Sequence, residues 1–175
     1  TRVFGNNLPE MVIEPGRYVV GDAGLVLSEV VLVSQRDPSD PTRAITDLRT
    51  AITALHRANL RVILDVVYNH TSDAGPNSPF SAPAPHYFFR STPAGRLTND
   101  SGTGNGFADE RPMARKYIVD SLEHWLRQYN VDGFRFDLLG THRPETVRAI
   151  CDRVKSIRPD ATLYGEPWTG GGPTH

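Results

Sequence analysis

The stretch VDGFRFDLLG, residues 131–140, has the alternation of a β-strand. It places the two phenylalanines and Leu138 on one face and Arg135 and Asp137 on the other. The arginine and the aspartate look into the same space, and the permanent positive charge keeps the carboxylate ionised and available as a nucleophile. A structural salt bridge on a half-exposed strand would give the same pattern, so the flanking sequence has to decide.

Composition excludes several classes of protein. The 175 residues are 38% hydrophobic, which is enough for one domain with a core. With 19 basic and 20 acidic residues, the net charge of -1 predicts neither a nucleic-acid partner nor a membrane partner. The single cysteine, Cys151, excludes an internal disulfide and a cysteine-based zinc site, and its place on an apolar helical stripe predicts a packing residue.

Targeting signals are not visible in this stretch. No apolar run approaches the ~20 residues of a membrane span. The start at Thr1 has neither an initiator methionine nor a signal-peptide pattern, so an excised piece of a longer protein is expected and the compartment stays open.

The apolar run at residues 62–67 predicts a second strand. Its continuity indicates a strand covered on both faces, as in a parallel sheet between helices. Asp65 interrupts the run and needs a partner there. A helix is predicted before this strand, with Asp40 as its cap, Pro41 as its first residue and Asn59 at its end.

Residues 72–110 form a long connection rich in proline, glycine, serine and asparagine. A connection of this length predicts a lid or a binding loop. Its segment GTGNG, residues 102–106, is similar in composition to a phosphate-binding loop. No strand precedes it and no Gly-Lys-Ser/Thr follows, which favours a plain glycine-rich loop. Two further helices and two further strands are predicted at residues 112–129, 144–158, 133–139 and 161–166.

The order of elements is therefore the β/α alternation of a parallel sheet or barrel. A closed eight-stranded barrel takes ~250 residues, and this chain supplies three or four strands. The predicted fold class is α/β, an incomplete (β/α)8 TIM barrel over residues 36–175, with the long loop after the Asp65 strand. Residues 1–35 stay unassigned, although an apolar run at 25–33 fits a strand.

Carboxylates fall at equivalent places on the predicted strands, with Asp65 inside its strand and Asp137 and Glu166 near the ends of theirs. The last two are 29 positions apart, close to the ~30 residues of one βαβ unit. In a β/α barrel the carboxyl ends of the strands form the active face. Glycoside hydrolysis needs one ionised carboxylate to attack and one protonated carboxyl to donate, which suits Asp137 and Glu166 respectively.

Three segments in this order resemble conserved regions of the α-amylase superfamily, glycoside hydrolase family 13: DVVYNH at residues 65–70, GFRFD at 133–137 and YGEPW at 164–168. The segments at 98–105 and 110–113 resemble the pullulanase branch of that family. The resemblance covers about residues 36–170. It implies a retaining α-glucan hydrolase that acts on α-1,6 links of pullulan, glycogen or starch and requires no cofactor, with calcium binding left open.

The resemblance also implies a role for each matching residue. Asp137 would be the nucleophile and Glu166 the general acid/base, with Arg135 orienting the nucleophile. Asp65 and His70 would hold the network and bind the sugar, while Asn69 would be a structural or calcium-linked partner. Stacking surfaces for sugar rings are expected at Tyr68 and Trp168. A rim position for Trp168 and a backbone-satisfied His70 are the alternatives.

Two departures from the family stand out. No His-Asp pair supplies the family's third carboxylate, and the pullulanase Tyr-Asn-Trp-Gly-Tyr signature is missing from residues 1–36. We therefore expect a partial catalytic domain, incomplete for activity by itself. The alternatives are a glucan-binding or inert fragment, or an α-amylase or transglycosylase of the same superfamily.

Overall fold

A computed structural model describes residues 42–169, which fall into two units divided between Val62 and Ile63. The predicted strand at 25–33 and the predicted helix start at Asp40 and Pro41 lie outside the described residues. Each unit is considered by itself.

The described part of the first unit is helix α1, Arg43–Arg57. Ile52 is its buried residue, at 3% exposure. The helix stops as predicted, because Asn59 takes a left-handed conformation with φ of 60°. His56 and Arg57 place basic side chains at the negative end of the helix.

The second unit is a three-stranded parallel sheet with two helices. The strands are β1 (Ile63–Val66), β2 (Gly133–Phe136) and β3 (Thr162–Gly165), in the spatial order β1-β2-β3. The helices are α2 (Pro112–Tyr129) between β1 and β2, and α3 (Pro144–Ile157) between β2 and β3. Proline at the first position of each helix made both starts predictable, and both predictions are confirmed.

The core lies around the central strand, in which all four residues of β2 are buried. Helices α2 and α3 pack against each other and bury their apolar stripes. Fully or nearly fully buried side chains of this core are Ile118, Leu122, Leu126, Phe134, Phe136, Ile150 and Val154. None of the described helices is long and apolar enough to cross a bilayer.

Strand β2 is shorter than the predicted 133–139, so the placement of Leu138 beside the two phenylalanines is wrong. The backbone N–H of Asp137 still donates to Val66 O at 3.0 Å, but Leu138 then takes a left-handed conformation with φ of 43°. A 3-10 turn, Leu139–Thr141, follows. Such a φ is strained for a branched residue, and strain of this kind clusters at functional sites.

Among the described residues, the predicted cover on both faces of the sheet is seen only for the central strand, because all four residues of β2 are buried whereas β1 and β3 are partly exposed. Register pairs Asp65 with Arg135 and Arg135 with Tyr164, which puts the three side chains on one face. Tyr164 is 55% exposed and Val67 is 50% exposed on this face. The α/β class and the parallel sheet are therefore confirmed, in the form of one three-stranded sheet.

The long connection between β1 and α2 has a small core of its own. Two antiparallel bridges, Phe89 with Phe107 and Ser91 with Leu97, fold it back on itself. Phe89 and Phe107 are 1% and 2% exposed, and their rings meet edge to face. Phe80 lies 4.9 Å from Tyr117 of α2, centroid to centroid. Aromatic packing therefore gives this loop a defined shape.

Candidate active site

Arg135 is the centre of an acidic cluster on the open face of the sheet. Its Nη1 donates to Asp65 Oδ1 at 2.8 Å and to Asp137 Oδ1 at 3.3 Å, and its Nη2 binds Glu166 Oε1. The parallel register makes this possible, because it sets Asp65 beside Arg135 on neighbouring strands. One guanidinium thus joins the three predicted carboxylates.

Burial and charge act in opposite directions on Arg135, whose side chain is 11% exposed. Burial alone lowers the pKa of the guanidinium. The hydrogen bond and charge of Asp65, the charge of Glu166 and the bond to Asp137 outweigh burial, so the pKa lies above its ordinary value. The site therefore holds a permanent positive charge among its acids.

Asp137 receives a second set of contacts from the segment after β1. Nδ2 of Asn69 donates to the backbone O of Asp137 at 2.9 Å and to its Oδ2 at 3.1 Å. Asn69 is 2% exposed, and its Oδ1 binds Nδ1 of His70. Each carboxylate oxygen of Asp137 thus has a donor, Arg135 at Oδ1 and Asn69 at Oδ2. These donors hold the carboxylate in one orientation from both sides.

Glu166 follows β3 directly, and its side chain contacts the turn after β2. The backbone N–H of Leu138 donates to Glu166 Oε2 at 3.2 Å, which the left-handed conformation of Leu138 allows. A Cβ at Gly165 would lie 2.8 Å from Phe136 O and from the side chain of Leu139, so only glycine fits before the acid. The Glu166 side chain is 14% exposed.

Asp137 and Glu166 therefore lie on the same side of the sheet, at the carboxyl ends of adjacent strands, with their carboxylates on the two terminal nitrogens of one guanidinium. Ligand pockets of β/α folds are found at these strand ends. A double displacement at a sugar carbon requires one carboxylate that attacks and a second carboxyl that donates a proton. The arrangement is suited to glycosyl transfer to water or to another sugar.

Comparison with known proteins also indicates a glycoside hydrolase. No protein-family model matches the chain. The pullulanase of Bacillus subtilis (strain 168) is 47% identical over 132 residues, which are 75% of this chain and 18% of that protein. Isoamylase 3 of Oryza sativa subsp. japonica is 35% identical over 75% of this chain and 19% of its own length.

Solved structures agree with the sequence relatives. The type I pullulanase of Bacillus subtilis str. 168, complexed with maltose, aligns with a TM-score of 0.75 at 45% identity, over 80% of this chain and 20% of that chain. The pullulanase of Paenibacillus barengoltzii, complexed with maltohexaose and α-cyclodextrin, aligns with a TM-score of 0.73 at 42% identity, over 77% and 21%.

The chain is homologous to part of the pullulanases and isoamylases. These proteins are the debranching enzymes of glycoside hydrolase family 13, so the resemblance of the motifs to that family's pullulanase branch is confirmed. The chain spans about a fifth of the length of these relatives.

Tyr68 and Trp168 are the residues expected to stack against sugar rings. The hydroxyl of Tyr68 is bonded to Ser121 Oγ of α2 at 2.7 Å, and burial raises the pKa of Tyr68 to about 12. Its ring lines a small pocket together with His70. Trp168 is 58% exposed. Tyr68 thus faces the helix layer, whereas Trp168 presents an open ring.

A second charged cluster was missed by sequence reasoning. Arg90, in the long loop, forms ion pairs with Asp109, with Asp100 at 3.2 Å and with Glu110 at 3.0 Å. Asp109 has no exposed side-chain surface. In the sequence, Asp109 and Glu110 indicate only favourable negative charge just before the start of α2. The signal that could have found the cluster is an isolated arginine inside an aromatic run, at Phe88-Phe89-Arg90.

Asp109 also holds the turn that follows the acidic cluster. Its Oδ2 accepts from the backbone N–H of Arg143 at 2.9 Å and from His142 Nδ1 at 3.2 Å. Burial raises the pKa of the Asp109 carboxyl, but the contacts with His142, Arg143 and Arg90 outweigh it and bring the pKa below its usual range. The long loop and the turn after β2 are therefore joined by a buried ionised carboxylate.

No metal centre emerges from the part of the chain between residues 42 and 169. In that part, no group of three or more histidine, cysteine, aspartate or glutamate residues is placed to hold an ion. The side chain of Asn69 contacts Asp137 and His70. The calcium linkage expected for Asn69 stays a prediction.

Proposed function

We propose that this chain carries the nucleophile and the general acid/base of a retaining α-glucan hydrolase that cleaves α-1,6 links. The observation that supports this most directly is the guanidinium of Arg135, which contacts both Asp137 and Glu166 at adjacent strand ends. The homology to pullulanases and isoamylases supports the substrate class.

The first chemical step is attack by a carboxylate oxygen of Asp137 on the anomeric carbon. The bond from that carbon to the bridging oxygen breaks, and its electron pair stays with the oxygen. That oxygen takes the proton of the Glu166 carboxyl and leaves as an alcohol. The products are a glycosyl ester on Asp137 and an ionised Glu166.

The second step returns both acids to their starting forms. The Glu166 carboxylate takes a proton from a water molecule as the water oxygen attacks the anomeric carbon. The ester bond to Asp137 breaks, and its electron pair returns to the carboxylate. Two inversions at the same carbon retain its configuration.

Arg135 contacts Asp137 Oδ1 and stabilises the carboxylate before the attack and again after the ester is hydrolysed. In the ligand-free arrangement it also contacts Glu166. Proton donation requires a protonated Glu166, so in the proposed cycle the entering sugar separates Glu166 from the guanidinium. Asp65 keeps Arg135 in place from the other side, and His70 binds the sugar next to the cleavage point.

The proposed substrates are pullulan, glycogen and starch, in the setting of a completed (β/α)8 barrel. Pullulanases aligned with this chain are complexed with maltose and with maltohexaose. Trp168, with its open ring, is the stacking surface in this proposal. Tyr68 is not a stacking surface in this proposal, because its hydroxyl is hydrogen-bonded to Ser121 of α2.

A chimera tests the assignment. Residues 42–169 replace the aligned segment of the Bacillus subtilis pullulanase, and reducing ends released from pullulan and from amylose are measured. Asp137→Asn removes the nucleophile, so turnover of pullulan should fall at least about a thousandfold. The control is Asp120→Asn, an exposed aspartate on α2 paired with Lys116, which should leave turnover unchanged. Retained turnover in the Asp137→Asn chimera, or a preference for amylose, contradicts the proposal.

A further inference from the structure

The segment Asn69–Thr71 is held in place from outside the sheet, by the long loop. The backbone N–H of Phe107 donates to Asn69 O at 2.9 Å. On the other side of His70, the backbone N–H of Thr71 donates to Asn105 Oδ1 at 3.0 Å, and Nδ2 of Asn105 donates to Thr71 O at 2.8 Å. His70 is therefore bracketed by hydrogen bonds from residues 105 and 107.

The side-chain carboxamide of Asn105 forms the two hydrogen bonds with Thr71 that the backbone of a neighbouring strand would form. A carboxamide offers one acceptor and a donor group in one plane, which matches the N–H and C=O of Thr71. Asn105 is 5% exposed and Thr71 is half-buried, so both bonds are partly shielded from water. Loss of the Asn105 carboxamide would leave the partly buried N–H and C=O of Thr71 without these hydrogen bonds, which is costly.

Hydrogen bonds within the turn around Asn105 fix the position of that residue. Ser101 Oγ donates to Asn105 O at 2.9 Å, and Asn99 Oδ1 accepts from the backbone N–H of Gly104. Gly104 has a φ of 102°, a conformation that side chains rarely adopt. A Cβ at Gly106 would lie 2.6 Å from Asp100 Oδ2 and would displace that carboxylate from its contacts with Arg90 and Thr98. The glycines of this loop thus serve its folding.

His70 in turn is linked to the nucleophile position. Because Nδ2 of Asn69 donates to Asp137, its Oδ1 faces His70 and requires a proton on Nδ1. The orientation of this imidazole, and with it the tautomer that meets a sugar hydroxyl, depends on where the Asn69–Thr71 backbone lies. A shift of that backbone would move His70 and loosen the contact with Asp137.

We propose that Asn105 is a positioning residue: its carboxamide clamps Thr71 and thereby sets His70 for the sugar at the cleavage point. This rests on the proposed function for its effect on turnover, whereas the clamp itself is independent of it. The glycine-rich segment 102–106 then holds Asn105 in the position from which it binds Thr71.

The test is a double-mutant cycle in the pullulan-hydrolysing chimera. Asn105→Ala should lower kcat/KM about tenfold, because His70 is no longer held. In the His70→Ala background the same change should lower kcat/KM less than about twofold, since the residue through which Asn105 acts is gone. Asn105→Asp keeps the acceptor, places a second oxygen against Thr71 O, and should not restore activity. The exposed Asn77→Ala, in the same loop, is the matched control.

Equal losses of kcat/KM from Asn105→Ala in the presence and absence of His70 overturn the proposal. Hydrogen exchange of the peptide that contains Thr71 gives a readout independent of turnover. Asn105→Ala should expose this amide and Asn77→Ala should not, and unchanged protection also overturns the proposal. A folded parent chimera without pullulan turnover refutes the proposed function instead, while the exchange measurement still decides on the clamp.

Discussion

At the scale of single residues, the same side-chain type does different work in different places. Asp65 and Asp109 both contact an arginine, yet Asp65 is 57% exposed and Asp109 is fully buried. Ion pairs that face water contribute little, whereas removing one partner of a buried pair is costly. Asp65 therefore orients Arg135, while Asp109 contributes mainly to stability.

Tyr68 is the residue whose burial has the clearest consequence for pH. Its pKa is raised by burial to about 12 from an ordinary value of 10.0. The neutral phenol is favoured in the folded state, so this stability is fully present below about pH 10 and is lost as the pH rises through about 12. The unfolding free energy of the parent should decrease between these pH values, and Tyr68→Phe should make that decrease about 1 to 2 kcal/mol smaller.

Urea unfolding of the chimera at pH 8, 10 and 12 measures this effect. At pH 8 the Tyr68→Phe variant should be about 1 kcal/mol less stable, because the bond to Ser121 is lost. Tyr164→Phe is the control, as it removes the hydroxyl of a tyrosine that is 55% exposed. The same alkaline profile for Tyr68→Phe and its parent would show that Tyr68 is solvated.

At the scale of elements, the close approach of β2 and β3 depends on one glycine. A Cβ at Gly133 would lie 2.0 Å from the backbone O of Thr162, which belongs to β3 and cannot move without breaking the pairing. The two acids depend on this pairing, because Asp137 and Glu166 follow the paired strands directly. A side chain here would separate the two acids as well as the two strands.

Gly133→Ala should therefore destabilise the second unit by more than about 3 kcal/mol and abolish pullulan turnover. Circular dichroism during thermal unfolding and the reducing-end assay are the measurements. Gly95→Ala provides the comparison, since Gly95 has a φ of 78° with open space around it and should cost about 1 kcal/mol. Equal losses in the two variants would mean that the strands can move apart at little cost.

At the scale of the whole molecule, buried charge joins segments that are distant in sequence. Asp109 connects Arg90 of the long loop with the turn that carries His142 and Arg143. The hydrogen bonds of Asn105 and Phe107 connect the same loop to the end of β1. The long connection is thus a brace for the end of β1 and for the turn after β2.

The charge of Asp109 gives this brace a dependence on acid. Its pKa is depressed in the folded state, so its contribution is present above the unfolded value of about 3.9 and is lost as the pH falls further. Asp109→Asn should lower stability at pH 7 by about 3 kcal/mol, and the difference from the parent should shrink below about pH 4. Urea unfolding at pH 7, 5 and 3 measures it, with the exposed Asp152→Asn as control. A constant difference across this range would contradict the prediction.

Local signals were sufficient for the elements. Pro112 and Pro144 start α2 and α3, Asn59 stops α1, and the alternation around Arg135 marks the middle strand. Each signal acts through the backbone of its own segment, so it holds without knowledge of the rest of the chain. The candidate acids could be named for the same reason, since the carboxyl ends of parallel strands meet at one edge.

The sequence by itself therefore determined the parallel α/β order, the starts of α2 and α3, and the positions of Asp65 within its strand and of Asp137 and Glu166 at the strand ends. Only the tertiary structure decided that Arg135 is shared by all three carboxylates, that Leu138 leaves the strand, and that Tyr68 points to α2. It also assembled the Arg90-Asp109-His142 cluster and the Asn105 clamp. Apart from the contact of Arg135 with Asp137, these contacts join residues 19 to 70 positions apart. A local pattern carries no information about which distant partner will satisfy a buried polar group.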